Sequence, residues 1–174
     1  MTTTSAPVDE LGAATDADPR RTRVLVALAT LLTFVLGVIG LGTDSFWVDD
    51  GFTLTHALLP TDDFFRVIAD QEMNGALYTT LMHGWVRLGQ SEAWVRLPSV
   101  LFMTAAVPLL FVLGRRLFDE RVAVLATFLF AINAYVVAFS HEGRTYAFTL
   151  LLDLASVTLL VRFVDGPTRP RWWA

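Results

Sequence analysis

The stretch VLVALATLLTFVLGVIGLG, Val24 to Gly42, decides the fold. Its nineteen residues carry no charge, and a helix rising about 1.5 Å per residue can roughly cross a ~30 Å hydrocarbon core at that length. It reads as a first transmembrane helix. The preceding residues, 1–23, are rich in Thr, Ala and Asp, lack a core pattern and end on Arg20, Arg21 and Arg23, which predicts a disordered cytoplasmic tail. A cleaved signal peptide would have a shorter apolar core, and Gly40-Leu41-Gly42-Thr43 is a weak cleavage site.

Three further apolar stretches follow, at 97–113, 122–139 and 146–161, each near the lower limit of spanning length. The expectation is an all-α integral membrane protein of about four transmembrane helices. The segments between them are 43–96, 114–121 and 140–145, and 162–174 forms a cytoplasmic tail or the start of a next span. Composition agrees, with 54% hydrophobic and 17% charged residues, more apolar than a soluble domain of this length. Pro108 is expected to kink the second span, a feature membranes tolerate. The absence of cysteine excludes disulfides and thiolate metal sites.

Arginine sets the orientation. Arg20, Arg21, Arg23, Arg115, Arg116, Arg121, Arg162, Arg169 and Arg171 fall on one side, and Arg66, Arg87, Arg96 and Arg144 on the other. Nine against four makes the first side cytoplasmic, in a plasma membrane protein with both termini inside. The large external segment, 43–96, then carries eight acids and three arginines. That balance argues against nucleic acid as a partner and does not favour anionic lipid. Thr61-Asp62-Asp63 opens a helix with acids in its first turn and Phe64, Phe65 and Ile68 on one face. Leu77, Leu81, Trp85 and Leu88 mark a second amphipathic stretch. Both are expected to lie along the membrane interface, with Trp85 and Trp94 at headgroup depth.

Several charges stand out against this apolar background. Asp49 and Asp50 sit side by side just beyond the first span, where carboxylates can act on a substrate or cap the following helical segment. Arg144, on the second external turn, has a fork that fits two phosphate oxygens, with Glu142, Thr145 and Tyr146 near enough to orient it. The plain alternative is a Glu142 to Arg144 interfacial ion pair. His56, His83 and His141 lack metal-site spacing, and His56 reads as a polar interfacial residue. Asp153 lies nine residues past Arg144, roughly 13 Å deeper along a helix. Tyr146, Thr149, Asp153 and Ser156 share one helix face, which predicts burial against another span, with Thr127 and Asn133 as available partners.

Taken in order, Asp49-Asp50, Asn74-Gly75-Ala76-Leu77-Tyr78, Arg96-Leu97-Pro98-Ser99-Val100, Gly114-Arg115-Arg116-Leu117-Phe118 and His141-Glu142-Gly143-Arg144-Thr145-Tyr146-Ala147 resemble the N-terminal part of GT-C membrane glycosyltransferases. The likeness is to the branch with protein O-mannosyltransferases and aminoarabinose transferases. The family commonly has Asp-Glu where this chain has Asp49-Asp50, two prolines where it has Gly75-Ala76, and Glu-Ala-Arg where it has Glu142-Gly143-Arg144. The resemblance implies transfer of a sugar from a polyprenyl-phosphate donor to a hydroxyl on a protein, lipid or glycan acceptor at the outer face, usually with inversion. It implies Asp49 as general base. Asp50 would position the acceptor or raise the pKa of Asp49 by like-charge proximity, and Asn74, Tyr78, Glu142, Arg144 and Tyr146 would contact substrate. No cofactor is required, although the acid pair could also hold a divalent cation.

Family members have many more spans, so 174 residues reads as the front portion of a longer enzyme, inactive without later spans or a partner subunit. Two other readings fit the same residues. One is a non-catalytic assembly subunit whose external helices bind a partner. The other is a proton-coupled transporter fragment organised around Asp153.

Overall fold

The computed structural model describes residues 18–43, 45, 47–70 and 75–165, leaving the side chains of Asp49 and Asp165 outside the description. The order of elements is α1 (Pro19–Val38), α2 (Val48–Ala57), α3 (Thr61–Asp70), α4 (Ala76–Trp85), α5 (Glu92–Leu117), α6 (Glu120–Ala131), α7 (Ala134–Ser140) and α8 (Tyr146–Asp165). The fold is all-α. Among the described residues three helices, α1, α5 and α8, are each long and apolar enough to cross a membrane, and α6 with α7 reaches that length and apolarity as a pair bent by 55°, a broken span or a re-entrant loop.

Local chemistry sets the boundaries. Asp18 caps α1 by accepting from Arg20 N at 2.9 Å, and Pro19 occupies the first turn, where its missing N–H costs nothing. The helix therefore begins before the apolar run and takes in the three arginines. It ends at Val38 because Gly40 turns back with φ 78°, a left-handed conformation that glycine adopts without strain. Ser91 caps α5 by accepting from Trp94 N at 3.3 Å, so this helix starts five residues before the apolar stretch and carries Arg96 in its second turn. It continues through Pro98 and Pro108 without a break. The predicted third span is divided: the chain leaves helix at Ile132–Asn133, and Asn133 restarts it by accepting from Tyr135 N at 2.8 Å.

α5 is the central helix, packed against α1, α6 and α8. The face of α1 that enters the bundle is made of Thr22, Ala29, Thr33 and Gly37, small residues that let membrane helices approach closely. Its Leu28, Leu31 and Val35 stay exposed on the other side. At the end near the termini, the Thr22 hydroxyl donates to the Glu120 carboxylate, which also pairs with Arg115 at 3.4 Å. This ties α1, α5 and α6 together.

At the opposite end α2 and α4 pack on each other around Ala57, Tyr78, Met82 and Val86, with Val95 of α5 beneath them. Phe102 joins this cluster to the one formed by Met103, Val136 and Ala147. Trp85 and Trp94 stack at 4.7 Å, and each indole N–H donates to the other's carbonyl. α3 closes over His83 with Phe64, fully buried and stacked at 4.1 Å. Phe65, expected on the same face as Phe64, is instead 55% exposed, because adjacent helical residues point about 100° apart. Leu77, Leu81 and Leu88 form an exposed apolar stripe.

Candidate active site

Asp50 lies in the first turn of α2 and is 2% exposed. Its Oδ2 meets Arg96 Nη2 at 3.1 Å, and its Oδ1 accepts from Gly143 N at 2.8 Å. Arg96 also donates to the carbonyl of Leu41 at 3.3 Å and to that of Ser45 at 3.1 Å. One buried ion pair thus fixes the end of the α1 turn, the segment leading into α2, the head of α5 and the α7–α8 turn. Such a pair survives burial because both members are additionally hydrogen-bonded. Ser99, one turn below Arg96, donates to the Glu142 carbonyl at 2.6 Å, holding the same turn from the other side.

At Gly143 the turn packs closely on its neighbours. A Cβ there would stand 3.1 Å from Val95 Cγ1 and 3.3 Å from Asp50 Oδ1. The glycine lets the turn's backbone approach the Asp50 carboxylate closely enough to donate to it.

Around this pair opens a cavity of about 410 Å³. Asp50 and Arg96 form its floor, His141, Glu142 and Arg144 one side, and Trp47, Phe139 and Tyr146 the aromatic wall and rim. Arg144 Nη1 donates to the Tyr146 hydroxyl at 3.2 Å, and its guanidinium lies 5.2 Å from that ring's centre. Tyr146 in turn packs on Phe139 at 5.1 Å. His141 Nε2 lies 3.0 Å from the Gly37 carbonyl, a contact that requires a proton on that nitrogen. Trp47 is 77% exposed and offers a free indole face at the rim. The bend between α6 and α7 creates this arrangement by carrying Phe139 and His141 to the cavity.

Of the residues singled out from the sequence, Asp50, Glu142, Arg144 and Tyr146 line one cavity. The side chain of Asp49 and all of Asn74 lie outside the described residues, as do 166–174 with Arg169 and Arg171. Tyr78 does not line the cavity. It is 2% exposed in the core below, where burial raises its phenol pKa far above the ordinary value. The Asp50 carboxylate is committed to Arg96 and Gly143, so it acts on its neighbours through position. His83 is structural: Nδ1 contacts the Ala57 carbonyl and Nε2 accepts from Arg87. Among the described residues no three His, Asp or Glu side chains converge as a metal site. Asp153 is exposed rather than packed against a described span. Thr127 bonds the Val124 carbonyl and Asn133 caps α7 instead.

Arg96 is the site residue that the sequence reading missed. Its signal was present, a lone cation at the mouth of an apolar run, but its partner lies 46 residues earlier in the chain.

A profile of the family described as dolichyl-phosphate-mannose-protein mannosyltransferase covers residues 75–174, more than half of the chain, from just before α4 through α8. No curated protein and no solved structure matches. The apolar helices make the molecule a multi-pass membrane protein, and the matched stretch supplies Arg96, Glu142, Arg144 and Tyr146 of the cavity. The chain belongs to the dolichyl-phosphate-mannose-protein mannosyltransferase family, within the GT-C class of membrane glycosyltransferases.

Proposed function

We propose that the protein takes part in transfer of a hexose, mannose in the first instance, from a polyprenyl phosphate to a hydroxyl acceptor, with Asp49 as general base. The observation that carries this reading is the cavity that brings Arg144, Glu142 and Tyr146 together above the Asp50–Arg96 pair. Asp49 directly precedes Asp50 at the head of α2, and its backbone position is fixed by that pair. In the reaction, Asp49 takes the acceptor's hydroxyl proton as the oxygen attacks the anomeric carbon. The bond from that carbon to the phosphate oxygen breaks, its electron pair leaves with the lipid phosphate, and the configuration inverts. The phosphate is already a good leaving group, so one carboxylate suffices. Arg144 would balance the charge that develops on the phosphate, and the rings of Trp47 and Tyr146 would face the sugar.

The arginine distribution supports an external cavity and cytoplasmic termini. The acceptor is a protein hydroxyl by the family's description, and a lipid or glycan hydroxyl would meet the same chemistry. The test is transfer of radiolabelled mannose from polyprenyl phosphate in membranes expressing the longest gene product. Asp49→Asn at matched expression should lose about 10²-fold or more, the usual worth of a general base. Equal transfer by the variant would end the assignment of Asp49.

A further inference from the structure

Three separate sequence motifs come together at the α7–α8 turn, outside the cavity it helps to line. Gly75 opens α4 with φ 94° and sits against that turn: a Cβ there would stand 3.4 Å from Thr145 Cβ and 3.5 Å from its Oγ1. One turn further along α4, the Tyr78 ring packs on Phe148 of α8 at 6.2 Å. Ser99 of α5 is fully buried and donates to the Glu142 carbonyl at 2.6 Å. Helices α4 and α5 thus hold the turn on either side of Gly143 and Arg144, one at Thr145 and the other at Glu142.

The Tyr78 hydroxyl is the loose end of this arrangement. It is buried and makes no hydrogen bond with the described residues, a costly state for a donor that water cannot reach. Ser99 and Asp50 are the polar side chains that act on it. Both Asp50 oxygens are engaged, Oδ1 by Gly143 N and Oδ2 by Arg96. Ser99 commits its single proton to the Glu142 carbonyl, which leaves its oxygen as an acceptor with lone pairs to spare. A donor without an acceptor therefore lies beside an acceptor without a donor.

We propose that Tyr78 is a positioning residue: its hydroxyl closes onto Ser99 Oγ, fixes the Ser99 proton on the Glu142 carbonyl, and so holds the turn that presents Glu142 and Arg144 to the substrate. Tyr78 O–H, Ser99 O–H and the Glu142 carbonyl then form a chain in which each hydrogen bond polarises the next. The chain runs from α4 to the cavity, and it gives that helix a hold on the site although none of its side chains lines it. The effect on rate rests on the proposed sugar transfer, whereas the hold on the turn is independent of it.

Tyr78→Phe removes the hydroxyl and keeps the ring against Phe148, and Ser99→Ala removes the middle of the chain. The test follows amide hydrogen exchange of residues 141–145 in the full chain in detergent, together with kcat and KM for polyprenyl-phosphate mannose in membranes. Exchange at the turn should rise about 3- to 10-fold in each variant, the effect of one hydrogen bond, and no further in the double variant. In Tyr78→Phe the rest of α4 should exchange as in wild type. The kcat should fall by a similar factor at unchanged donor KM, because Arg144 acts on charge that develops as the phosphate leaves, again with no additional loss in the double variant. Wild-type exchange at the turn in Tyr78→Phe overturns the proposal, as do effects that multiply in the double variant. Faster exchange throughout α4 in Tyr78→Phe also overturns it, by reducing the hydroxyl to a packing group. If wild type transfers no sugar, the sugar-transfer reading falls and the exchange pattern alone decides the role of Tyr78.

Discussion

The Arg96 guanidinium meets the Asp50 carboxylate at 3.1 Å, with each side chain only 3% exposed. Removing one member leaves an uncompensated buried charge. Arg96→Met is expected to destabilise the protein by about 3–5 kcal/mol, measured by thermal or denaturant unfolding in detergent. The double variant Asp50→Asn/Arg96→Met should lose less than the sum of the single losses. Additive losses would mean that the pair is not coupled.

Gly143→Ala should cost about 1–3 kcal/mol, because its methyl group would press on Val95 and Asp50 at the distances given above. The same variant should weaken sugar transfer, since the turn that carries Glu142 and Arg144 must shift to make room. Unchanged stability and unchanged transfer would show that the turn yields without strain.

Arg144→Lys keeps the charge but loses the planar fork and its stacking on Tyr146. Transfer from the polyprenyl-phosphate donor should fall roughly 10- to 100-fold, the worth of one charge-assisted hydrogen bond. Varying the donor concentration separates its effect on KM from that on kcat. Full activity in this variant would remove the bidentate grip on phosphate.

Phe64→Ala should release α3. The ring is fully buried and stacked on His83, so its loss costs about 3–5 kcal/mol. Much of the effect should be local, seen as faster protease cleavage within residues 61–70 than in the spans. Equal cleavage of wild type and variant would show that α3 is held by other contacts.

The spans were legible because apolar length is a property of sequence alone. The break at Ile132–Asn133 was not, since the apolar run continues across it and only one residue, Asn133, carries the capping chemistry. That α5 extends five residues ahead of the apolar stretch was hidden for a related reason: Arg96 resembles a loop charge until Asp50 arrives from 46 residues away to bury it. Arg144 and Glu142 could be paired as candidates because they are neighbours in sequence. The contact between Asp50 and Gly143 spans 93 residues and exists only in the fold. For Asp153 the sequence foresaw a protein-facing residue, whereas the described spans leave its face uncovered.

The Asp50 to Gly143 contact also links two letters that looked like separate departures from the family's usual pattern. An alanine at position 143 would hold the turn's backbone back from the carboxylate, and a glutamate at position 50 would supply the one extra methylene of reach that the contact then needs. Each change alters the room left for the other, while Arg96 stays within reach of whichever acid is present. Asp with Gly, or Glu with Ala, are then two solutions to a single spacing problem. Descent along this branch should exchange them together, and the mixed combinations should be rare among its sequences.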